Sequence, residues 1–254
     1  MKILVLVACG RGGQDLFQSL LDNHLQILQF PGPIWFDKNF ESIFNEKNTE
    51  TIIDLFCKQY PHFFDSRLNI MERHNQLGKN RKLFFKVNKD KFLKEFLIIR
   101  KKTHKNKFNL VKDLNLAYYR AAGFSTKSIR IMLVHLHLLE NVKNFFRYFS
   151  NIKNVVFIIA LRDILVSLGS TCHKWLKYEN GNGLNAQTLY DNLFSHVKLF
   201  KELKKYKKKT YVIQLENLHK KNHLVLKQFC KIFDLKFKKS LKKSTYFGKN
   251  GGEM

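Results

Sequence analysis

The sequence predicts an α/β fold, a three-layer sandwich with a central parallel sheet and helices on both faces. Three observations carry this. The chain opens on an apolar run, Ile3 to Ala8, that breaks at Gly10-Arg11-Gly12-Gly13 into apolar residues at helical spacing, Leu16, Phe17, Leu20 and Leu21. Three later segments, Ile129–His137, Val155–Leu161 and Tyr211–Leu215, are continuously apolar, the pattern of strands covered on both faces. Helical patterns run over Leu138–Phe149, Ile164–Tyr178, Leu189–Leu203 and Leu224–Phe233. Strands alternating with helices of that length build βαβ units around a parallel sheet.

The first element is a buried strand, a tight glycine turn and a helix start. The first N–H groups of a helix lack internal partners and face whatever sits at the turn. Glycines let the backbone approach an anion closely, and Arg11 adds a permanently charged fork. The turn is P-loop-like without being a Walker loop, because G-x-x-x-x-G-K-S/T is absent. Residues 40–128 carry apolar stretches, Ile52–Phe56 and Phe92–Ile99, in a Lys/Asn-rich background with turn signals at Gly78 and Gly123. They read as mostly helices covering one side of the sheet. Arg100–Lys107 and Lys204–Lys209 read as solvated faces or loops, and Asn180–Asn185 as a loop between helices. His24 reads as a cation at a helix C-terminus. No repeat or linker divides the chain, so one domain spanning 1–254 is expected.

Composition bounds the function. With 254 residues, 44% hydrophobic and 14% aromatic, the chain can bury a sizeable core. The formal net charge is +26, yet residues 1–50 hold four Lys/Arg against six Asp/Glu. Such basicity favours anionic partners. Richness in Asn, Phe and Ile with only three prolines points instead to an AT-rich coding bias that inflates lysine, so charge is weak evidence for function. The four cysteines, Cys9, Cys57, Cys172 and Cys230, form no C-x-x-C pair, which argues against zinc and for a reduced compartment. No apolar run approaches the ~20 residues of a membrane helix. Leu6-Val7-Ala8-Cys9 resembles a lipoprotein cleavage box, but the apolar core before it is shorter than the roughly 7–15 residues of a signal peptide. A cytoplasmic location is expected, with weak electrostatic contact to membranes and no transmembrane segment.

The segment after Val155–Leu161 carries the chemistry. Arg162-Asp163 stands at the carboxyl end of a strand, followed by Ser167, Ser170 and Trp175 at helical positions. Arg162 and a Ser170 hydroxyl suit a phosphate, and Asp163 suits a helix cap. With the glycine turn, this makes two anion sites at strand ends of one sheet.

The ordered set resembles the sulfotransferase superfamily that uses 3′-phosphoadenosine 5′-phosphosulfate (PAPS), in its bacterial and tyrosylprotein branches. The family's opening Lys/Arg-Ser-Gly-Thr-Thr/Ser loop is similar to Arg11-Gly12-Gly13-Gln14-Asp15, and Leu20-Leu21-Asp22-Asn23-His24 resembles its L-L-D-x-H. Arg162 and Ser170 match the spacing of R-D-P-x-x-x-x-x-S, and Glu216-Asn217-Leu218 matches a strand-end E-D/N-L. Ser244–Gly252 is similar to a late glycine-lysine loop. The resemblance implies sulfuryl transfer from PAPS, without a metal, to a hydroxyl or amine of a carbohydrate, lipid, small molecule or peptide. It implies that Arg11, Gly12, Gly13, Gln14, Asp15 and Leu16 surround the phosphosulfate, that Arg162 and Ser170 hold the 3′-phosphate, and that Gly248 and Lys249 close over the nucleotide. Residues 40–128 would form the acceptor side. Arg11 would neutralise the leaving oxygen. The sequence departs from the pattern where Gly12, Gln14 and Asp15 replace hydroxyl residues, Ile164 replaces the proline, and Gly32 stands where tyrosylprotein enzymes have a glutamate base.

For the base, His137 ends a predicted strand and His135 shares its face two residues earlier. Cytosolic relatives carry K-T-H in a similar strand, and an imidazole titrates near neutrality. Glu216 reads as a structural hydrogen-bonding group and Trp175 as core or pocket wall. Three alternatives remain open. A P-loop-like kinase is disfavoured by the missing Walker lysine and the lack of a carboxylate pair for Mg²⁺. A basic nucleic-acid-binding module would leave Arg162 and the glycine turn unused. A degenerate, inactive member of the family would explain the lost loop hydroxyls.

Overall fold

β1 (Lys2–Val7) is buried at every residue after the first, because it lies in the middle of the sheet with a helical layer on each face. The computed structural model describes residues 1–7, 12–68, 77, 82–150, 152–178, 185–246 and 249–250, and of Tyr178, Lys249 and Asn250 only the backbone. Five parallel strands stand in the order β2-β3-β1-β4-β5, with β2 Ile27–Gln29, β3 Ile131–Leu136, β4 Val155–Leu161 and β5 Lys209–Gln214. This is the α/β architecture that the alternating pattern predicts.

The period-2 alternation of a strand divides the core in two. Ile3, Val5 and Val7 join one cluster with Met132, Val134, Phe157 and Ile159, while Leu4 and Leu6 join another with Leu133, Ile158 and Ile213. The second face is covered by α1 (Gln14–Leu21) and α10 (Leu215–Phe233) through Phe17, Leu20, Leu226 and Phe229. The first face takes α2 (Lys38–Asn45), α3 (Thr49–Gln59), α4 (Pro61–Phe64), α5 (Lys89–Arg100), α6 (Lys107–Ala121) and α7 (Leu139–Tyr148). Aromatic rings fill that layer: Phe63 stacks on Tyr60 at 4.9 Å and on Phe30 at 5.5 Å. α8 (Ile164–Tyr178) and α9 (Ala186–Lys205) follow β4, and α9 anchors in the first layer through Leu199 and Leu203.

Local chemistry sets the boundaries. Asn48, Asn88, Asn106 and Asn185 each accept backbone N–H bonds that start α3, α5, α6 and α9, as N-caps do. Gly123, at φ +90°, closes α6: its N–H bonds Arg120 O and the Phe124 N–H bonds Tyr119 O, a glycine stop.

Several boundaries and roles differ from the sequence pattern. β2, only three residues long, gives no periodicity to read. β3 ends at Leu136, so His137 falls just past the strand rather than closing it. The last helix begins at Leu215, not Leu224, and is broken at Lys221 (φ −138°, ψ 40°). His24 is no helix-end cation. It is fully buried, its Nε2 meets Lys236 O at 2.8 Å and its Nδ1 accepts the Gln26 N–H at 3.2 Å. Burial lowers its pKa and keeps the ring neutral. Arg100 is no solvated residue either: it ends α5 and pairs with the buried Asp113 at 3.0 Å.

The chain end returns to α1. Ser244 Oγ lies 2.7 Å from Ser19 Oγ, Thr245 Oγ1 donates to Asp22 Oδ2 at 2.9 Å, and Tyr246 donates to Pro31 O. Thr245–Tyr246 then pairs with Lys249–Asn250 as a hairpin.

Candidate functional site

The strand order fixes where a ligand sits. From β1 the chain turns toward β2 through α1 on one face, and from β4 it turns toward β5 through α8 and α9 on the other. Between neighbouring strands whose connections leave in opposite directions, a crevice opens at the carboxyl ends. β1 and β4 are paired side by side, Val7 opposite Ile159, so the crevice lies between the glycine turn and Arg162.

On the β1 side, Gly12 is buried and Gly13 N-caps α1 at φ +88° and ψ +15°. A Cβ on Gly13 would stand 2.5 Å from Leu215 Cδ1, so a left-handed backbone and a close helix approach both require glycine there. Gln14 is 2% exposed, with Oε1 buried and unpartnered. Asp15, whose side chain is 41% exposed, brings Oδ1 within 3.9 Å of His135 Nδ1. Leu16 is partly buried and its carbonyl accepts from Ser19 Oγ.

On the β4 side, Arg162 is partly buried just past the strand. Arg67, Arg100, Arg120, Arg130 and Arg147 each hold a carboxylate. Arg162 is the one arginine among the described residues without a hydrogen bond or ion pair. Asp163 starts α8: its Oδ1 accepts the Val166 N–H at 3.0 Å and its carbonyl the Ser167 N–H at 2.8 Å. Glu216, in the first turn of α10, accepts the Asp163 N–H at 2.9 Å through Oε1, and its Oε2 is buried without a partner. Ser170 lies on the second turn of α8, partly buried.

The third wall is β3. His135 is 2% exposed, and its Nδ1 lies 2.7 Å from Gln18 Oε1. Because Gln18 Nε2 donates to Phe30 O at 2.7 Å, the amide oxygen faces the ring, and His135 Nδ1 is the donor in that assignment. Nε2 then carries the lone pair, buried and unpartnered. Desolvation, reinforced by the nearby His137, pulls the His135 pKa down to about 3, so its ring accepts a hydrogen bond far better than a proton. His137 is partly buried; Trp35 packs edge-on against it at 5.8 Å, and His135 stands 6.1 Å away. Asn141 clamps this segment, accepting from Phe36 N–H and donating to Ile34 O, each at 2.7 Å.

The structure thus brings Gly12, Gly13, Gln14, Asp15, His135, His137 and Arg162 to one edge of the sheet, with Leu16 and Ser170 on the adjoining helices. Arg11 and Gly248 lie outside the described residues, as does the Lys249 side chain. Sequence reasoning missed Gln18 and named Ser167 without giving it a role. Gln18 follows Gln14 by one helical turn on a buried face, a polar pair at core spacing that could have flagged it. Ser167 is 1% exposed with an unpartnered Oγ.

The chain is similar to bacterial sulfotransferases. It covers 95% of itself and 77% of the sulfotransferase domain from the curacin biosynthetic pathway, at 14% identity and a TM-score of 0.46. Against sulfotransferase STF1 from Mycobacterium tuberculosis the shares are 95% and 70%, at 11% identity and 0.45. Against sulfotransferase STF9 from Mycobacterium avium they are 93% and 65%, at 13% identity and 0.43, so the chain spans under two thirds of that enzyme. No family model and no curated protein matches the sequence. At these identities and TM-scores the likeness decides nothing about substrate, and the site is argued from its own groups.

Proposed function

We propose that this protein is a sulfotransferase that moves a sulfuryl group from PAPS to a hydroxyl of an acceptor. The observation that carries the reading is Arg162, an arginine at the mouth of the crevice without a partner among the described residues. A partly desolvated guanidinium with no carboxylate is a standing site for a phosphate or sulfate. The second support is the turn opposite, where Gly12, Gly13 and the N-terminal end of α1 offer a cradle for another anion. Two anion sites across one crevice suit a nucleotide charged at two ends, which the resemblance identifies as PAPS.

In this reading Arg162 and Ser170 hold the 3′-phosphate. Gly12, Gly13, Gln14 and Leu16 line the phosphosulfate, and Arg11 neutralises the bridging oxygen as its bond to sulfur breaks. The acceptor oxygen attacks sulfur, its proton passes to His137, and adenosine 3′,5′-bisphosphate leaves. His135, held neutral by burial, positions rather than takes the proton. Gly248 and Lys249 close the site, and the helices of residues 40–128 form the acceptor side of one domain. A reducing, cytoplasmic setting fits Cys57, Cys172 and Cys230, which are free thiols.

Calorimetric titration with adenosine 3′,5′-bisphosphate tests it. The wild type binds, and Arg162→Ala weakens binding by at least about tenfold, the scale of one charge-assisted contact. No binding by the wild type overturns the function. Binding unchanged in Arg162→Ala overturns the assigned phosphate site.

A further inference from the structure

Four polar atoms are excluded from water without a partner on the elements that meet at the carboxyl edge of the sheet. They are Gln14 Oε1 at the start of α1, His135 Nε2 near the end of β3, Ser167 Oγ in the first turn of α8 and Glu216 Oε2 in the first turn of α10. Such atoms are scarce in folded proteins, because each gives up a hydrogen bond that water supplied. Gln14 Oε1 and Glu216 Oε2 only accept, and so does His135 Nε2 when Nδ1 donates to Gln18. A ligand that completes this edge therefore brings hydrogen-bond donors as well as negative charge.

The position of Glu216 selects one donor. α10 starts beyond β5, yet its first residue, Leu215, packs against Gly13 on the turn after β1. The next residue, Glu216, accepts the Asp163 N–H at 2.9 Å through Oε1, and Asp163 follows Arg162. The first turn of α10 thus crosses the carboxyl end of β4 and sets a carboxylate between the glycine turn and Arg162. Arg162 leaves that carboxylate unclaimed: the two form no ion pair, and Oε2 has no donor. A cation and an anion at one junction that do not neutralise each other suit a ligand offering phosphate to the first and a hydroxyl to the second.

We infer that Glu216 reads the sugar of the nucleotide by accepting a hydrogen bond from the ribose 2′-hydroxyl. In the sulfotransferase reading above, on which this rests, the 5′ substituent lies at the glycine turn and the 3′-phosphate at Arg162. The sugar that carries both esters then spans the gap where Glu216 stands. With its 3′ and 5′ oxygens esterified, the ribose keeps one donor, the 2′-hydroxyl, and a carboxylate oxygen is an acceptor alone. The adenine amine is also a donor, but it sits on the far edge of the base, away from the line between the two esters. A deoxyribose would leave Oε2 without a partner, so Glu216 selects the ribonucleotide by the cost of an unmade bond.

Calorimetric titration with adenosine 3′,5′-bisphosphate and with its 2′-deoxy analogue tests this. The wild type binds the ribonucleotide about tenfold or more tighter, the scale of one hydrogen bond to a charged group. In Glu216→Ala the preference falls to within about twofold. Glu216→Gln keeps an oxygen for the Asp163 N–H but puts a donor where Oε2 stood, and it also lowers the preference, which covers the case in which the alanine variant does not fold. Asp163→Ala disturbs the same junction and leaves the Glu216 carboxylate in place, so it retains the wild-type preference even where it weakens both ligands. Equal binding of the two nucleotides by the wild type overturns the inference. So does a preference that survives in a folded Glu216→Ala, or one that Asp163→Ala abolishes equally. Absence of binding by either nucleotide overturns the sulfotransferase reading itself, and this inference with it.

Discussion

Gly13 carries two constraints that a single substitution separates. Its φ of +88° lies in the left-handed region, and its missing Cβ makes room for Leu215 Cδ1 at 2.5 Å. Gly13→Ala adds about 1–2 kcal/mol of backbone strain and a contact that pushes α10 away from the turn. Denaturant unfolding shows the loss as a lower midpoint. In a Leu215→Ala background the contact is gone, so the cost of Gly13→Ala falls but stays above zero. Equal midpoints for wild type and Gly13→Ala would refute the close approach. Next to this rigid turn, His135 shows how burial selects a role. Gln18 fixes its donor nitrogen, the other nitrogen stays open, and a pKa near 3 makes the ring an acceptor of hydrogen bonds rather than of a proton.

α8 links sheet to site, and its start is a stack of caps. Asp163 holds the Val166 N–H, and Glu216 of α10 holds the Asp163 N–H, so two helices that follow neighbouring strands share one junction beside Arg162. Asp163→Ala removes the cap and costs about 1 kcal/mol, while Asp163→Asn keeps the acceptor and stays near wild type. Thermal melts of the pair check this, with amide exchange in residues 164–167 rising only in the alanine variant. The bounds of α8 were legible because a capping aspartate follows an apolar run and the helical pattern is unbroken. Strand-end Arg162 was legible for the same reason. β2 was not, since three residues carry no period, nor was the start of α10, where Glu216–Asn222 is polar and broken at Lys221. The Gln18–His135 bond spans 117 residues, and His24 meets Lys236 across 212. Tertiary pairings of that kind leave no local mark.

At the scale of the whole molecule, the fold is built on neutral histidines inside a strongly cationic chain. Burial lowers the pKa of His24, His62, His135 and His196, to about 4 for His62 and about 3 for His135, from an ordinary 6.5. A ring held neutral in the fold is protonated more readily once the chain unfolds. Unfolding therefore takes up protons, and stability falls as the pH drops below about 6.5 until the folded ring itself titrates. At pH 5 the linkage amounts to about 2 kcal/mol for each of His62 and His135, with His24 and His196 adding in the same sense. The buried Asp113 works the other way, because desolvation raises its pKa even beside Arg100, but only as the pH nears its own titration. Added positive charge also strains a chain already at +26. Urea unfolding at pH 7.5 and pH 5 should therefore differ by several kcal/mol, with the acid sample partly recovered by salt, which screens the surface repulsion and leaves the buried rings untouched. Equal stabilities at the two pH values would mean that these histidines are hydrated in solution, and that the layers around the sheet are looser than the packing of His135 on Gln18 requires.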